Sequence, residues 1–303
     1  MLVIAGPTAS GKSGVAVELC RILDGEVVSC DSMQIYKKMD IGTAKIRSEE
    51  MCGIPHHMLS VLEPFEENSA AIYAEMAIPV IEGIFARNKQ PVLCGGTGLY
   101  IDSLTKPMGF SVRSDENVRA KWREYLALHG KTALHDRLRE IDPQSASRLH
   151  ENDVRRVIRA LEVFDLTETT LTQHSAMDAE KPPLYSAKLF ALDWGRETLY
   201  ERCDRRVFDM LSQGLIDEVR SLLSDPRVHS ALSMQAIGYK EIQRYIAGEC
   251  TLEQAISDVQ RATRSYAKRQ ETWFRRDSRV TWLDPKGKTP KQIAEEIARR
   301  RNA

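Results

Sequence analysis

Between the apolar run Leu2–Ala5 and a helical pattern over residues 14–23 stands Gly6-Pro7-Thr8-Ala9-Ser10-Gly11-Lys12-Ser13, which satisfies G-x-x-x-x-G-K-[ST] at every position. The spacing has a mechanism. Glycines let main-chain amides turn inward around phosphate oxygens, Lys12 adds a cation, Ser13 offers a hydroxyl to a magnesium ion, and the helix that follows contributes the positive end of its dipole. Such a loop works when spliced between a buried strand and a helix, so it commits the chain to begin as strand, turn and helix. Apolar residues at Val15, Leu19, Ile22 and Leu23 give that helix one face to bury.

Further apolar runs at residues 26–29, 58–62, 91–94, Lys188–Leu192 and Val280–Leu283 read as buried strands, with helices at 69–87 and 196–213 between them. Strands alternating with long helices pack as a parallel sheet covered on both faces. The expected fold is therefore α/β: a P-loop NTPase-like parallel sheet flanked by helices. From residue 114 to 173 strand signals vanish and helical spacing takes over, with turns at Pro143 and 150–153, which predicts an all-helical insertion domain. The expected organisation is core over 1–113, insertion over 114–180 and core again over 181–303, the last part holding helices at 234–247, 252–276 and 290–301. A chain of 303 residues that is 42% hydrophobic can build such a core without staples. Its six cysteines form none of the close pairs of zinc or redox centres. The first residues lack the basic flank and long apolar run of a signal peptide or membrane span, so a cytoplasmic protein is expected. Forty-three basic residues balance forty-three acidic ones, and any nucleic-acid partner has to be argued from local clusters.

Asp31 follows the run 26–29 and so emerges at the carboxyl end of the sheet beside the phosphate loop, where open α/β sheets carry their chemistry. It is the candidate general base, with a capping role or support of a magnesium ion as alternatives. Thr97, in Gly95-Gly96-Thr97-Gly98, holds the matching place after 91–94, as a helix N-cap, a substrate contact or both. Residues 91–94 run into glycines, with no aspartate to act as the second magnesium-binding acid of motor and switch NTPases, which argues against those classes.

In order along the chain, the phosphate loop, Asp31-Ser32-Met33-Gln34-Ile35-Tyr36, Asp40-Ile41-Gly42-Thr43-Ala44-Lys45, Pro55-His56-His57 and Gly95-Gly96-Thr97-Gly98-Leu99-Tyr100 closely resemble the bacterial tRNA dimethylallyltransferases. Residues 152–162, 237–241 and 264–273 extend the resemblance over nearly the whole chain. It implies transfer of a dimethylallyl group from dimethylallyl diphosphate to the exocyclic amine of the adenosine 3′ of the anticodon in tRNA. It implies that Gly6, Pro7, Thr8, Ala9, Ser10, Gly11, Lys12 and Ser13 bind the diphosphate, that Ser13 holds Mg2+ as cofactor, and that Asp31 accepts the proton of the attacking amine. By the same resemblance Thr97 positions the reacting groups and Arg206 reaches the diphosphate. Asp31, Ser32, Met33, Gln34, Thr97, Arg119, Arg155, Arg156, Val157, Ile158 and Arg159 would meet the anticodon stem-loop. No membrane partner is implied, and a monomer is expected.

At about 100° per residue, Arg261, Arg264, Lys268 and Arg275 share one stripe of the 252–276 helix, with Arg269 and Arg276 beside it and Tyr266, Trp273 and Phe274 turned away. Such a stripe suits RNA phosphates and equally a solvated outer face. Arg155, Arg156 and Arg159 cluster similarly, with Glu162 placed to neutralise part of their charge. The acceptor base would be splayed from a loop into the cleft between core and insertion. Three other readings use the same loop: an adenylate isopentenyltransferase acting on free AMP, ADP or ATP, a small-molecule kinase with an arginine-bearing lid, and a nucleotide-dependent RNA-binding switch. His56, His57 and Trp122 lack ligand-like spacing and read as structural residues.

Overall fold

A computed structural model describes residues 1–107 and 112–301. Six strands form one all-parallel sheet: β1 (Leu2–Ala5), β2 (Gly25–Ser29), β3 (His56–His57), β4 (Gln90–Cys94), β5 (Lys188–Leu192) and β6 (Val280–Leu283). Their order is β3-β2-β4-β1-β5-β6. β1 lies inside the sheet, with Val3 opposite Leu93 on one side and Leu189 on the other. Every residue of β1 and β2 is buried, as a sheet covered on both faces demands.

By contacts the chain forms two compact units, Met1–Asp102 with Tyr185–Ala303, and Ser103–Leu184. The first carries the sheet, α1 (Lys12–Leu23), α2 (Ser48–Met51), α3 (Ala70–Ala86) and the start of α4 (Gly98–Thr105). Helices α5 (Glu116–Ile141), α6 (Pro143–Arg148), α7 (Val154–Thr167) and α8 (Leu171–Ala179) belong to the second unit. The chain then returns to the first through α9 (Arg196–Ser212), α10 (Leu215–Leu223), α11 (Tyr239–Ile246), α12 (Leu252–Arg275) and α13 (Pro290–Arg300). Residues Val15 and Leu19 of α1 pack with Ile293 and Ile297 of α13 against Ile4, Val92 and Phe190 of the sheet. Thr251 and Thr289 open α12 and α13 as capping boxes with Gln254 and Gln292.

In the helical unit, Trp122, Leu134, Leu138, Val157, Ile158 and Leu161 share one core. The carboxylate of Glu162 is fully buried there and is compensated by the Asp115 amide at 2.8 Å, Arg119 Nε at 2.9 Å and Arg159 Nη1 at 2.6 Å.

Two expected elements are corrected. Residues 58–62 are not a strand, because Met58 and Ser60 are left-handed (φ 61° and 53°) and the Val61 and Leu62 amides both donate to the Ile35 carbonyl. The expected helix 234–247 is a short 3-10 turn, Leu232–Gln235, followed by α11. Between them Gly238 takes φ 93°, a value that a helix interior cannot hold. The helix expected at 196–213 is present as α9, with Gln213 as its C-cap, and α10 follows as a separate helix. Among the described residues no helix is long and apolar enough to cross a membrane.

Leu19 is wholly buried whereas Ile22, one turn on, is 42% exposed. Leu19→Ala should lower the unfolding free energy by about 2–5 kcal/mol, and Ile22→Ala by no more than about 0.5 kcal/mol. Equal losses in urea unfolding would contradict this burial pattern.

Candidate active site

The carboxyl ends of β1, β2 and β4 open onto a cavity of about 460 Å³, lined by residues 8–13 of the phosphate loop, Asp31, Gln34, residues 40–41 and 43–47, Gly95, Arg206 and Gln270. The loop departs from ordinary backbone at Gly6 (φ 128°), Ala9 (φ 62°) and Gly11 (φ 87°). A left-handed alanine is strained, so something outside the loop must hold it. Arg202 Nε of α9 donates to the Ala9 carbonyl at 2.7 Å, and Trp194 Nε1, just beyond β5, donates to the Ser10 carbonyl at 2.8 Å. The Arg202 guanidinium lies 4.2 Å from the centre of the Trp194 ring, so the two donors brace each other. A trans peptide points its N–H opposite to its C=O. Tying the Ala9 and Ser10 carbonyls back therefore turns the Ser10 and Gly11 amides the other way, toward the cavity these residues line. Gly11 starts α1 without a side-chain cap, which leaves the first-turn amides to an anion.

Lys12 Nζ donates to the Pro7 carbonyl at 2.7 Å, closing the loop on itself. Burial pushes its pKa down to about 8, with Arg206 acting in the same direction and Asp31 opposing it. Arg206 Nη1 reaches Thr8 Oγ1 at 3.0 Å from α9, and its guanidinium is likewise depressed by burial. The expected diphosphate residues and Arg206 therefore converge at one place.

Asp31 is both candidate base and cap. Its Oδ1 accepts the Met33 and Gln34 amides at 2.9 and 3.2 Å, whereas its Oδ2 has no hydrogen-bond partner among the described residues. Thr97 performs two tasks as well: its carbonyl accepts the Tyr100 and Ile101 amides that start α4, and its Oγ1 accepts the Ser32 amide at 3.0 Å. The phenol of Tyr266 contacts the side chains of Thr97 and Gln270, and burial, with Asp31 nearby, pushes its pKa up to about 12. The Gln34 amide is spent on the Thr43 and Ala44 carbonyls at 3.2 and 3.3 Å, fixing the wall of the cavity. That wall is anchored from outside: the Glu218 carboxylate takes the amides of Asp40, Ile41 and Gly42 at 2.7–3.0 Å and the Tyr239 hydroxyl at 2.6 Å.

The remaining RNA candidates lie in the helical unit. Arg155 and Arg156 are exposed, Arg156 pairing with Asp153 at 3.3 Å, while Arg119 and Arg159 are tied to Glu162. The side chains of Val157 and Ile158, at 0% and 8% exposure, are part of the unit's core. The basic stripe of α12 is also partly spent, on pairs of Arg264 with Asp204 and of Arg275 with Asp193 and Glu271. Gln270, Arg202, Trp194 and Glu218 were not singled out by sequence reasoning. Gln270 had a usable signal, a glutamine in the buried stripe of Val259, Thr263, Ala267 and Phe274. His56, expected to be structural, lines the cavity with a buried Nε2 that has no hydrogen-bond partner among the described residues.

A phosphate loop in the middle of a parallel sheet, with a carboxylate and a paired arginine across one cavity, defines a phosphate-handling α/β enzyme. The family model described as IPP transferase matches residues 34–277, so the chain belongs to that family. Among curated relatives, the tRNA dimethylallyltransferase of Halalkalibacterium halodurans is 45% identical over 94% of this chain and 90% of its own length. That of Bacillus licheniformis is 46% identical over 94% and 90%. Among solved structures, the tRNA isopentenylpyrophosphate transferase of Bacillus halodurans superposes with TM-score 0.72 at 42% identity, covering 98% of this chain and 95% of that one. A eukaryotic dimethylallyltransferase acting on tRNA superposes with TM-score 0.82 at 30% identity, covering 99% and 77%.

Because an anionic ligand favours charged Lys12, a diphosphate monoester bound at about pH 8.5 should take up a proton, and affinity should fall as pH rises through about 8. Calorimetry in two buffers of different ionisation heat reads this directly. Wild-type heats independent of buffer, or uptake that survives Lys12→Met, would contradict the assignment.

Proposed function

We propose that the chain transfers the dimethylallyl group of dimethylallyl diphosphate to the exocyclic amine of the adenosine 3′ of the anticodon in tRNA. The observation that carries the reading is the pairing, in one cavity, of an anion cradle at Lys12 and Arg206 with a half-committed carboxylate at Asp31. The names of the relatives favour tRNA over a free nucleotide as acceptor. We further propose that the protein acts as a monomer in the cytoplasm.

The adenine amine is a weak nucleophile because its lone pair is delocalised into the ring, so the donor must supply the reactivity. As the bond from the allylic carbon to the diphosphate oxygen breaks, negative charge grows on the leaving group. Lys12, Arg206 and the amides of the loop stabilise it there. The amine nitrogen forms the new bond to that carbon, and its proton passes to Asp31 Oδ2. Thr97 and the Ser32 amide hold the turn that carries Asp31. Among the described residues no cluster of three His, Cys, Asp or Glu side chains could hold a metal. The exposed hydroxyl of Ser13 suits magnesium in the way such ions are usually held, by few protein oxygens together with phosphate and water. Bound there, Mg2+ would supply further charge neutralisation to the leaving diphosphate.

Incubation with labelled dimethylallyl diphosphate and either bulk tRNA or AMP should place label on tRNA alone. Label on AMP would favour the free-nucleotide reading. Asp31→Ala should lower turnover by at least about a hundredfold with little change in tRNA affinity, and wild-type turnover in that variant would remove Asp31 from the mechanism. Arg156→Ala should reduce the salt-dependence slope of tRNA binding by about 0.7–0.9. An unchanged slope would leave Arg156 outside the interface.

A further inference from the structure

Gln270 occupies a position no sequence pattern assigned. It lies in the buried stripe of α12, 5% exposed, yet both ends of its amide are used. Its Oε1 accepts the Thr8 amide at 2.7 Å and its Nε2 donates to the Gly96 carbonyl at 2.9 Å. Thr8 belongs to the loop that holds the leaving group, and Gly96 to the turn that carries Thr97, which in turn binds the Ser32 amide next to Asp31. One side chain therefore spans the two halves of the reaction.

The surroundings are built around it. A Cβ on Gly96 would lie 2.1 Å from Gln270 Nε2, and a Cβ on Gly98 would lie 2.3 Å from the Trp273 ring, so the Gly95–Gly98 turn is pressed onto α12 with no slack. Tyr266, one turn before Gln270, contacts Thr97 and Gln270 from the same face. Gln270 also settles which amides the loop can offer. The Thr8 amide is committed to protein, so an anion is left with those from Ala9 onward, displaced toward α1.

We propose that Gln270 is a positioning residue that fixes the distance between the diphosphate cradle and the Asp31–Thr97 side, setting the alignment of allylic carbon and amine rather than the affinity for either substrate. The inference rests on the prenyl-transfer reading above. A misplacement of about 1 Å between reacting groups can cost on the order of a hundredfold in rate, whereas the cradle itself, braced by Arg202 and Trp194, should still bind diphosphate.

The test is single-turnover prenylation of tRNA with donor and tRNA both saturating, alongside separate titrations of each. Gln270→Met, which keeps the length and removes both hydrogen bonds, should slow the single-turnover step by at least about tenfold while both dissociation constants stay within about threefold. Gly96→Ala, which evicts the amide from the other side, should produce the same split. The double variant should be no slower than the worse single one, because both changes break the same link. An unchanged single-turnover rate in Gln270→Met, a loss accounted for by weaker donor binding, or additive effects in the double variant would each overturn the proposal. Should Gln270→Met fail to fold, Gly96→Ala decides alone by the same rate-against-affinity split. Wild-type protein that fails to prenylate tRNA would instead overturn the reading on which the inference rests, so the two failures are distinguishable.

Discussion

The structure depends on keeping eight residues of backbone in a shape they would not hold alone. An alanine at φ 62° between glycines at 128° and 87° is a strained segment. It persists because its carbonyls are claimed from outside by Trp194 and Arg202 and from within by Lys12. Both external donors come from the chain after the helical unit, about 190 residues away. The second half of the core therefore holds the first half's loop ready, so that little reorganisation is left for the moment of anion capture.

That dependence explains why α9 and α12 sit where they do. Helix α9 brings Arg202 and Arg206 to the same loop one turn apart, the first to a carbonyl and the second to the Thr8 hydroxyl. Helix α12 brings Gln270 to the Thr8 amide and presses Trp273 onto Gly98. The Asp40–Lys45 wall follows the same logic. Three successive amides close on the Glu218 carboxylate, and Gly42 is the residue that lets Tyr239 approach, since a Cβ there would lie 2.5 Å from its ring. Two separate sequence stretches, 40–45 and 237–241, thus meet at one partly buried contact.

What could be read from sequence follows from how local each signal is. The phosphate loop, the strands flanking it and Asp31 were legible because their chemistry and their flanking periodicity lie within a few residues of one another. The false strand at 58–62 looked apolar enough, but its amides are taken by Ile35, a tertiary claim that periodicity cannot register. Val157 and Ile158 fell within a basic stretch and were read with it, although their spacing on α7 places them inward. Glu162 drew notice as a charge near arginines, and its complete burial makes it the centre of a network rather than a screen. Trp194, Arg202 and Glu218 left no local trace, because each acts on backbone atoms distant in sequence.

We propose that this braced loop receives a prenyl diphosphate and presents its carbon to Asp31. The most direct measurement is a crystal structure with a non-reactive thio analogue of dimethylallyl diphosphate. Phosphate oxygens are expected about 3 Å from the Ser10–Ser13 amides and Lys12 Nζ, with the Gln270–Thr8 bond intact and the allyl group on the Asp31 side of the cavity. Diphosphate seated away from the loop, or an allyl group pointing away from Asp31, would contradict it.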